Sequence, residues 1–142
     1  MSSDENKAVF QKLIELQEHG DLNTTDQVVA ADWVNQDGSP QPLRGSEGFN
    51  RLTMSFRLAF PDMHIEIEDI VAEGDKVAAR WRLRGTNSGP FQGRPPTGRA
   101  VDIKATGIFW VVDGKVIENR VNMDFLGLMQ QLGFVLAPEQ TS

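Results

Sequence analysis

VDIKATGIFWVVDGKVIENRVNMDFLGLMQQLG, residues 101–133, decides the fold. Residues 101–112 and 115–123 are rich in β-branched and aromatic side chains, and Asp113-Gly114 between them is the strongest short-range signal for a two-residue hairpin turn. Two long strands are therefore expected side by side and antiparallel. Asp124 opens the segment FLGLMQQL, in which Leu126, Leu128, Met129 and Leu132 recur at helical spacing until Gly133 ends it. A short helix closes the end of the hairpin.

Upstream of this stretch the hydrophobic period is already two. Ile65 and Ile67 alternate with His64, Glu66 and Glu68, and Glu73-Gly74-Asp75 turns the chain into KVAARWRLRGT. In that strand Val77, Ala79, Trp81 and Leu83 share one face, and Arg80, Arg82 and Arg84 share the other, the alternation of an antiparallel sheet covered on one side. Before Pro61 the period is helical. Residues 2–19 carry a Ser2/Glu5 capping box and an apolar face of Val9, Phe10, Leu13 and Ile14, stopped by Gly20. Residues 24–34 give a shorter helical candidate with Val28, Val29 and Trp33 inside, and residues 46–60 a third, with Phe49, Leu52, Phe56 and Phe60 in line. Helices first and a meander of strands over residues 64–123 predict an α+β domain: a four-stranded antiparallel sheet, strongly curved, closing with its helices into a cone. The space inside is filled by side chains or left as a pocket for an apolar ligand.

With 142 residues and 39% apolar content, one domain with a real core is expected, ordered over about residues 4–134, with a tail at 135–142. No run of apolar residues reaches membrane-spanning length and no secretion signal is visible, so a cytoplasmic protein is expected. Cysteine is absent, which removes disulfides, thiol catalysis and Cys-ligated metal. Lys plus Arg number 14 against 20 Asp plus Glu, a net charge of −6 that opposes nucleic acid. His19 and His64 are the only histidines and show no metal-ligand spacing, so no metal is expected.

Within the last hairpin, Ala105 and Gly107 are small where Phe109 and Met123 on the same face are large. The glycine marks a bulge or a close approach, or the pair leaves room for a ligand. Trp33 and Trp81 are further candidates for the pocket wall. Three residues are candidates for chemistry. His64 stands at the mouth of a strand, Asn119 offers a donor and an acceptor to a carbonyl or hydroxyl, and Asp124 lies where the last strand meets the last helix. Asp124 also has the plainer reading of a helix N-cap, as His19 has that of a cation at a helix C-terminus. Trp110, with Thr106 and Ile108 on the outer face, is placed to join two copies of the chain into a dimer.

The segments FQGRPPTGR at 91–99, DGK at 113–115 and DFLGLMQQLG at 124–133 resemble the SnoaL-like polyketide cyclase family, and the likeness reaches back through AEGDKVAARW at 72–81 to GSEG at 45–48. The resemblance implies the cone-shaped fold of nuclear transport factor two, scytalone dehydratase and ketosteroid isomerase, a homo-oligomer, and cofactor-free intramolecular aldol chemistry on an anthracycline precursor. It also implies where the chemistry sits. The acid/base aspartate of the cyclases falls on Val121, its assisting histidine on Gly107 and a neighbouring polar residue on Ala105, while Arg120 and Asp124 match and Asn119 stands where the family often has histidine. An aliphatic side chain takes no proton. Three readings follow: a cyclase or isomerase acting on an apolar cyclic ketone with other catalytic groups, a cofactor-free hydroxylase of an aromatic polyketide, or a non-catalytic domain that binds small ligands.

Overall fold

A computed structural model describes residues 2–134; the tail expected at 135–142 lies outside the described residues. Helix α1, Ser3–His19, starts with the expected capping box: the Glu5 N–H donates to Ser2 Oγ at 3.1 Å and the Ser2 N–H to Glu5 Oε1 at 3.3 Å. It buries Val9, Phe10, Leu13, Ile14 and Leu16. Its last carbonyls, which lack partners within the helix, are taken up by Arg57, which donates to Gln17 O at 3.1 Å, to Gly20 O at 2.9 Å and to Leu16 O. Arg57 belongs to helix α2, Gly45–Ala59, so one guanidinium fixes two helices against each other.

Between those helices the chain departs from the expected one. Residues 24–34 are not a helix. A 3₁₀ segment, Leu22–Gln27, is capped by Asp21 and leads into strand β1, Val29–Asn35. This strand pairs in parallel with the last one, and its register shifts between Val29 and Val34. The irregularity breaks the period of two, so Val28, Val29, Trp33 and Val34 look helical by spacing although all are buried in strand geometry or next to it.

The remaining strands are β2, His64–Glu73; β3, Lys76–Thr86; β4, Ala100–Val112; and β5, Lys115–Met123. Asp113 and Gly114 have φ of 51° and 79°, the two positive values that a type I′ turn needs, and Val112 stands opposite Lys115. Helix α3, Phe125–Leu132, then packs on β4. The sheet is five-stranded and mixed, in the open order β1-β5-β4-β3-β2. This corrects the expectation of a strongly curved antiparallel cone: the sheet does not close, it ends in separate edges at β1 and β2, and the strand that makes it mixed is the one hidden in residues 24–34. The α+β class, with helices covering a sheet, stands.

A bulge between Ile67 and Asp69 keeps Ile65, Ile67, Ile70 and Ala72 all on the inner face of β2. The core there is aromatic: Phe10 lies 4.7 Å from Phe109 and 5.9 Å from Trp81, between ring centroids. The outer face is charged. Arg82 Nε donates to Asp102 Oδ1 at 3.0 Å, and Arg84 approaches the same carboxylate at 3.6 Å. Hydrogen bonding from Arg82 holds the Asp102 carboxyl below the ordinary carboxylate range, against a smaller opposing effect of burial. A lowered folded-state pKa stabilises the fold above the unfolded value of about 4 and loses that contribution as pH falls through the folded value. Asp102→Asn is therefore expected to lower the urea midpoint at neutral pH, with the gap to wild type closing on acidification below about pH 4. The Asp102 side chain is 41% exposed, so the gap is expected to be modest and to shrink with salt.

Candidate functional site

A cavity of about 220 Å³ lies between the inner face of the sheet and helices α1 and α2. Its sheet side is made by Trp81 and Leu83 of β3, Phe109 of β4, and Asn119, Val121 and Met123 of β5. Trp33 and Asn35 of β1 form one end, and Gln17 of α1 with Leu52, Thr53 and Phe56 of α2 form the helical side. Asp37, exposed in the turn after β1, stands at the rim, where its Oδ1 accepts the Ser39 N–H at 2.8 Å.

In this mostly apolar wall one polar chain has a fixed direction. Trp33 Nε1 donates to Asn119 Oδ1 at 2.6 Å, and Asn119 Nδ2 donates to Asn35 Oδ1 at 2.8 Å. An indole N–H is only a donor, so Asn119 must turn its oxygen toward Trp33 and its NH₂ toward Asn35. Asn35 must then answer with its own oxygen. The order runs one way and leaves the Asn35 NH₂ at the end of the chain, donating to no protein atom among the described residues. Trp33 is 1% and Asn119 5% exposed, so both polar groups depend on this arrangement. Chemically, the cavity offers N–H donors to an oxygen of an otherwise apolar ligand, with a carboxylate at the rim.

The structure brings Trp33, Trp81, Phe109, Asn119, Val121 and Met123 together around the cavity and places the other four candidates elsewhere. Ala105 is buried in the core, and Gly107 opens no space in the cavity wall: a Cβ there would lie 2.9 Å from Val121 Cγ2 and 3.0 Å from the Arg120 carbonyl oxygen. The room left by the glycine is filled from β5, and no bulge occurs at this position, since Gly107 pairs in register with Ala79 and Val121. His64 is outside the wall with its side chain 66% exposed, its Nδ1 2.8 Å from Glu18 Oε1. The same Glu18 oxygen accepts the Ile65 N–H at 2.5 Å, so this group ties the end of α1 to the start of β2.

Asp124 also lies outside the wall, as the N-cap of α3, where its Oδ1 accepts the Gly127 N–H at 2.8 Å. A Cβ on Gly127 would meet Asp124 Oδ2 at 2.2 Å, so the glycine makes room for the cap. Asp124→Ala is expected to cost about 1 kcal/mol of stability in urea unfolding, and Asp124→Asn, itself a good cap, a few tenths at most. Neither change is expected to alter ligand affinity at the cavity.

Gln17, Asn35, Asp37 and Thr53 were not legible as site residues. Asn35 and Asp37 follow a segment whose spacing reads as helix. Thr53 did leave a signal, a polar residue on the apolar stripe of α2 between Phe49 and Phe56. Among the described residues, no group of three or more His, Asp or Glu is placed to hold a metal, and no helix is long and apolar enough to cross a membrane.

Comparison with known proteins agrees with the resemblance seen in the sequence. The chain is 34% identical over 92 residues to aklanonic acid methyl ester cyclase DnrD of Streptomyces peucetius, an alignment that covers 64% of this chain and 63% of the relative. The chain thus spans less than two thirds of the length of this relative. Among solved structures it is similar to IdmH of Streptomyces antibioticus, a proposed polyketide cyclase, at 33% identity and a TM-score of 0.77, covering 90% of this chain and 98% of that one. It is also similar to AclR of Streptomyces galilaeus, a proposed hydroxylase, at 29% identity and a TM-score of 0.81, covering 97% and 87%. The model of the SnoaL-like polyketide cyclases matches residues 7–132, and the chain belongs to that family, within the nuclear transport factor two-like superfamily.

Proposed function

We propose that the cavity binds a polyketide-derived or similarly apolar cyclic ketone and that the chain catalyses cyclase- or isomerase-like proton chemistry on it without an organic cofactor. The observation that carries this reading is the directed chain Trp33–Asn119–Asn35, which ends in a free amide donor inside an apolar wall. A ring packs against Trp81, Phe109 and Met123, and its carbonyl oxygen receives the Asn35 N–H. When a proton leaves the carbon next to that carbonyl, negative charge grows on the oxygen, and a donor already in place stabilises it without reorganisation. Asn119 positions Asn35. With Val121, Gly107 and Ala105 carrying no ionisable group, the carboxylate available to the wall is that of Asp37, which takes the proton. His64 and Asp124 act at a distance, by holding β2 to α1 and by capping α3.

The test is incubation of the purified chain with aklanonic acid methyl ester, the compound in the name of the 34% identical relative. An isomeric product of unchanged mass, formed without dioxygen uptake and lost in Asp37→Asn, supports the reading. The likeness to the proposed hydroxylase AclR, together with the aliphatic Val121, favours a second reading. A product that has gained one oxygen atom and lost two hydrogen atoms, with one dioxygen consumed and one water released because the substrate itself supplies the electrons, would establish that one instead. Tight binding without turnover would leave a ligand-binding domain.

We also propose that two copies associate through the outer sheet face. There Ile108 is 41% and Val71 63% exposed, beside Trp110, whose ring carries Arg120 at 5.4 Å and Lys76 at 5.9 Å. The face mixes Arg80 and Arg120 with Asp69 and Glu118, so it is complementary to itself in charge. Sedimentation at micromolar concentration is expected to give twice the chain mass, and Ile108→Glu to return it to one; a wild-type mass of one chain would end the idea.

A further inference from the structure

Among the described residues, two buried side-chain oxygens have no hydrogen-bond partner: Asn6 Oδ1 and Thr53 Oγ1. Asn6 lies away from the cavity, its amide tied to Gly74 O at 3.0 Å. Thr53 is part of the cavity wall and is 2% exposed. A threonine inside a helix ordinarily settles its hydroxyl on the carbonyl four residues back, here that of Phe49, and this bond is not made. Nor does another described side chain take its place. An unpaired buried hydroxyl weakens a fold, and valine has nearly the same shape without that cost. Its place on the helix is also defined. Thr53 follows Phe49 by one turn, and the Phe49 ring meets Trp33 edge-on at 5.6 Å, so Thr53 sits on the stripe of α2 that faces the sheet.

We infer that Thr53 is a second ligand-reading residue, whose hydroxyl donates to an oxygen on the edge of a bound ring from the helical wall, as Asn35 does from β1. This rests on the proposal that the ligand is an oxygenated ring system, and it makes α2 a determinant of which oxygenation pattern is accepted. One step about χ1 exchanges the methyl and hydroxyl of Thr53, so the side chain presents an apolar or a donating surface without moving the helix. The ligand class that fits is a fused-ring ketone with oxygens at two edges, one for Asn35 and one for Thr53.

Two probes separate the outcomes: 1,8-dihydroxyanthraquinone, and anthracene, which has the same three rings and no oxygen. Affinities are read from tryptophan fluorescence for wild type, Thr53→Val and Thr53→Ser, with thermal unfolding alongside. Thr53→Val is expected to bind the quinone about tenfold more weakly while binding anthracene as wild type does, and Thr53→Ser to keep the quinone affinity. Thr53→Val is also expected to unfold at the wild-type temperature or above it. Equal quinone affinity for wild type and Thr53→Val overturns the inference and leaves the proposed function standing. A lowered unfolding temperature in Thr53→Val, with both affinities unchanged, overturns it too, since the hydroxyl then serves the fold. If wild type binds neither probe, the proposed function fails and the inference falls with it.

Discussion

Replacing Asn119 with leucine is expected to lower kcat/KM on aklanonic acid methyl ester by about 10²-fold, the scale of losing one donor to a developing oxyanion. It is also expected to destabilise the fold by about 2 kcal/mol, the scale of leaving a buried donor unpaired. Both effects come from the same atoms. Leucine removes the acceptor for the Trp33 N–H, which is 2.6 Å from Asn119 Oδ1 and shut off from solvent, and it releases the Asn35 amide from its fixed orientation. Trp33→Phe breaks the chain at its other end and should lower kcat/KM by a similar factor. Because both variants destroy one directed chain, their combination is expected to lose much less than the product of the two. Urea unfolding and steady-state kinetics of the two single variants and the double variant check this. Stability losses with unchanged kcat/KM would show that the polar chain serves the fold alone.

Gly89→Ala is expected to be the most damaging small substitution in the chain, with a loss of about 3 kcal/mol and a fall in Tm of about 10 °C. The methyl group would lie 1.8 Å from the Leu58 carbonyl oxygen and 2.9 Å from its carbon, both backbone atoms at the end of α2. No rotamer relieves such a clash, so the loop or the helix end must move. The loop has little freedom to do so. Asn87, 1% exposed, donates to Gly89 O at 2.8 Å and Ala59 O at 3.4 Å, and its Oδ1 accepts from the Thr97 N–H at 2.9 Å and Thr97 Oγ1 at 3.1 Å. Displacing Gly89 therefore disturbs a buried hub that organises the whole segment between β3 and β4. A calorimetric Tm within about 2 °C of wild type would show that the helix end yields easily.

The four antiparallel strands were legible because their signals are local. Alternation in β3 and the Asp113-Gly114 turn depend only on neighbouring residues, and the capping box of α1 lies within four positions. What the sequence hid is non-local. Strand β1 has a burial pattern without alternation because its register shifts, and its strand identity comes from pairing with β5 at the far end of the chain. With β1 unread, the sheet looked four-stranded and closed, when it is five-stranded, mixed and open. The same gap concealed Asn35 and left the orientation of Asn119 undetermined, since only the Trp33 indole fixes it. Gly107 misled for a different reason: a small residue predicts space only if nothing reaches across, and Val121 does.

The parallel pairing of β1 with β5 also sets an order of events during synthesis. The Trp33–Asn119 hydrogen bond joins positions 86 apart, and Val29 waits for Val116. On the ribosome β1 emerges early, with the Asn35 N–H able to reach Leu43 O, but it has no strand partner until β5 leaves the exit tunnel. A contact this distant in sequence is slow to form, because the intervening chain must be ordered before the pairing gives any return. The end of the cavity built by Trp33 and Asn35 is thus the last part assembled. A nascent chain that has not yet released β5 lacks the Trp33–Asn119 end of the ligand site, so binding appears only after Met123 has emerged, and the exposed edge of β1 is the segment that a chaperone would have to shield until then.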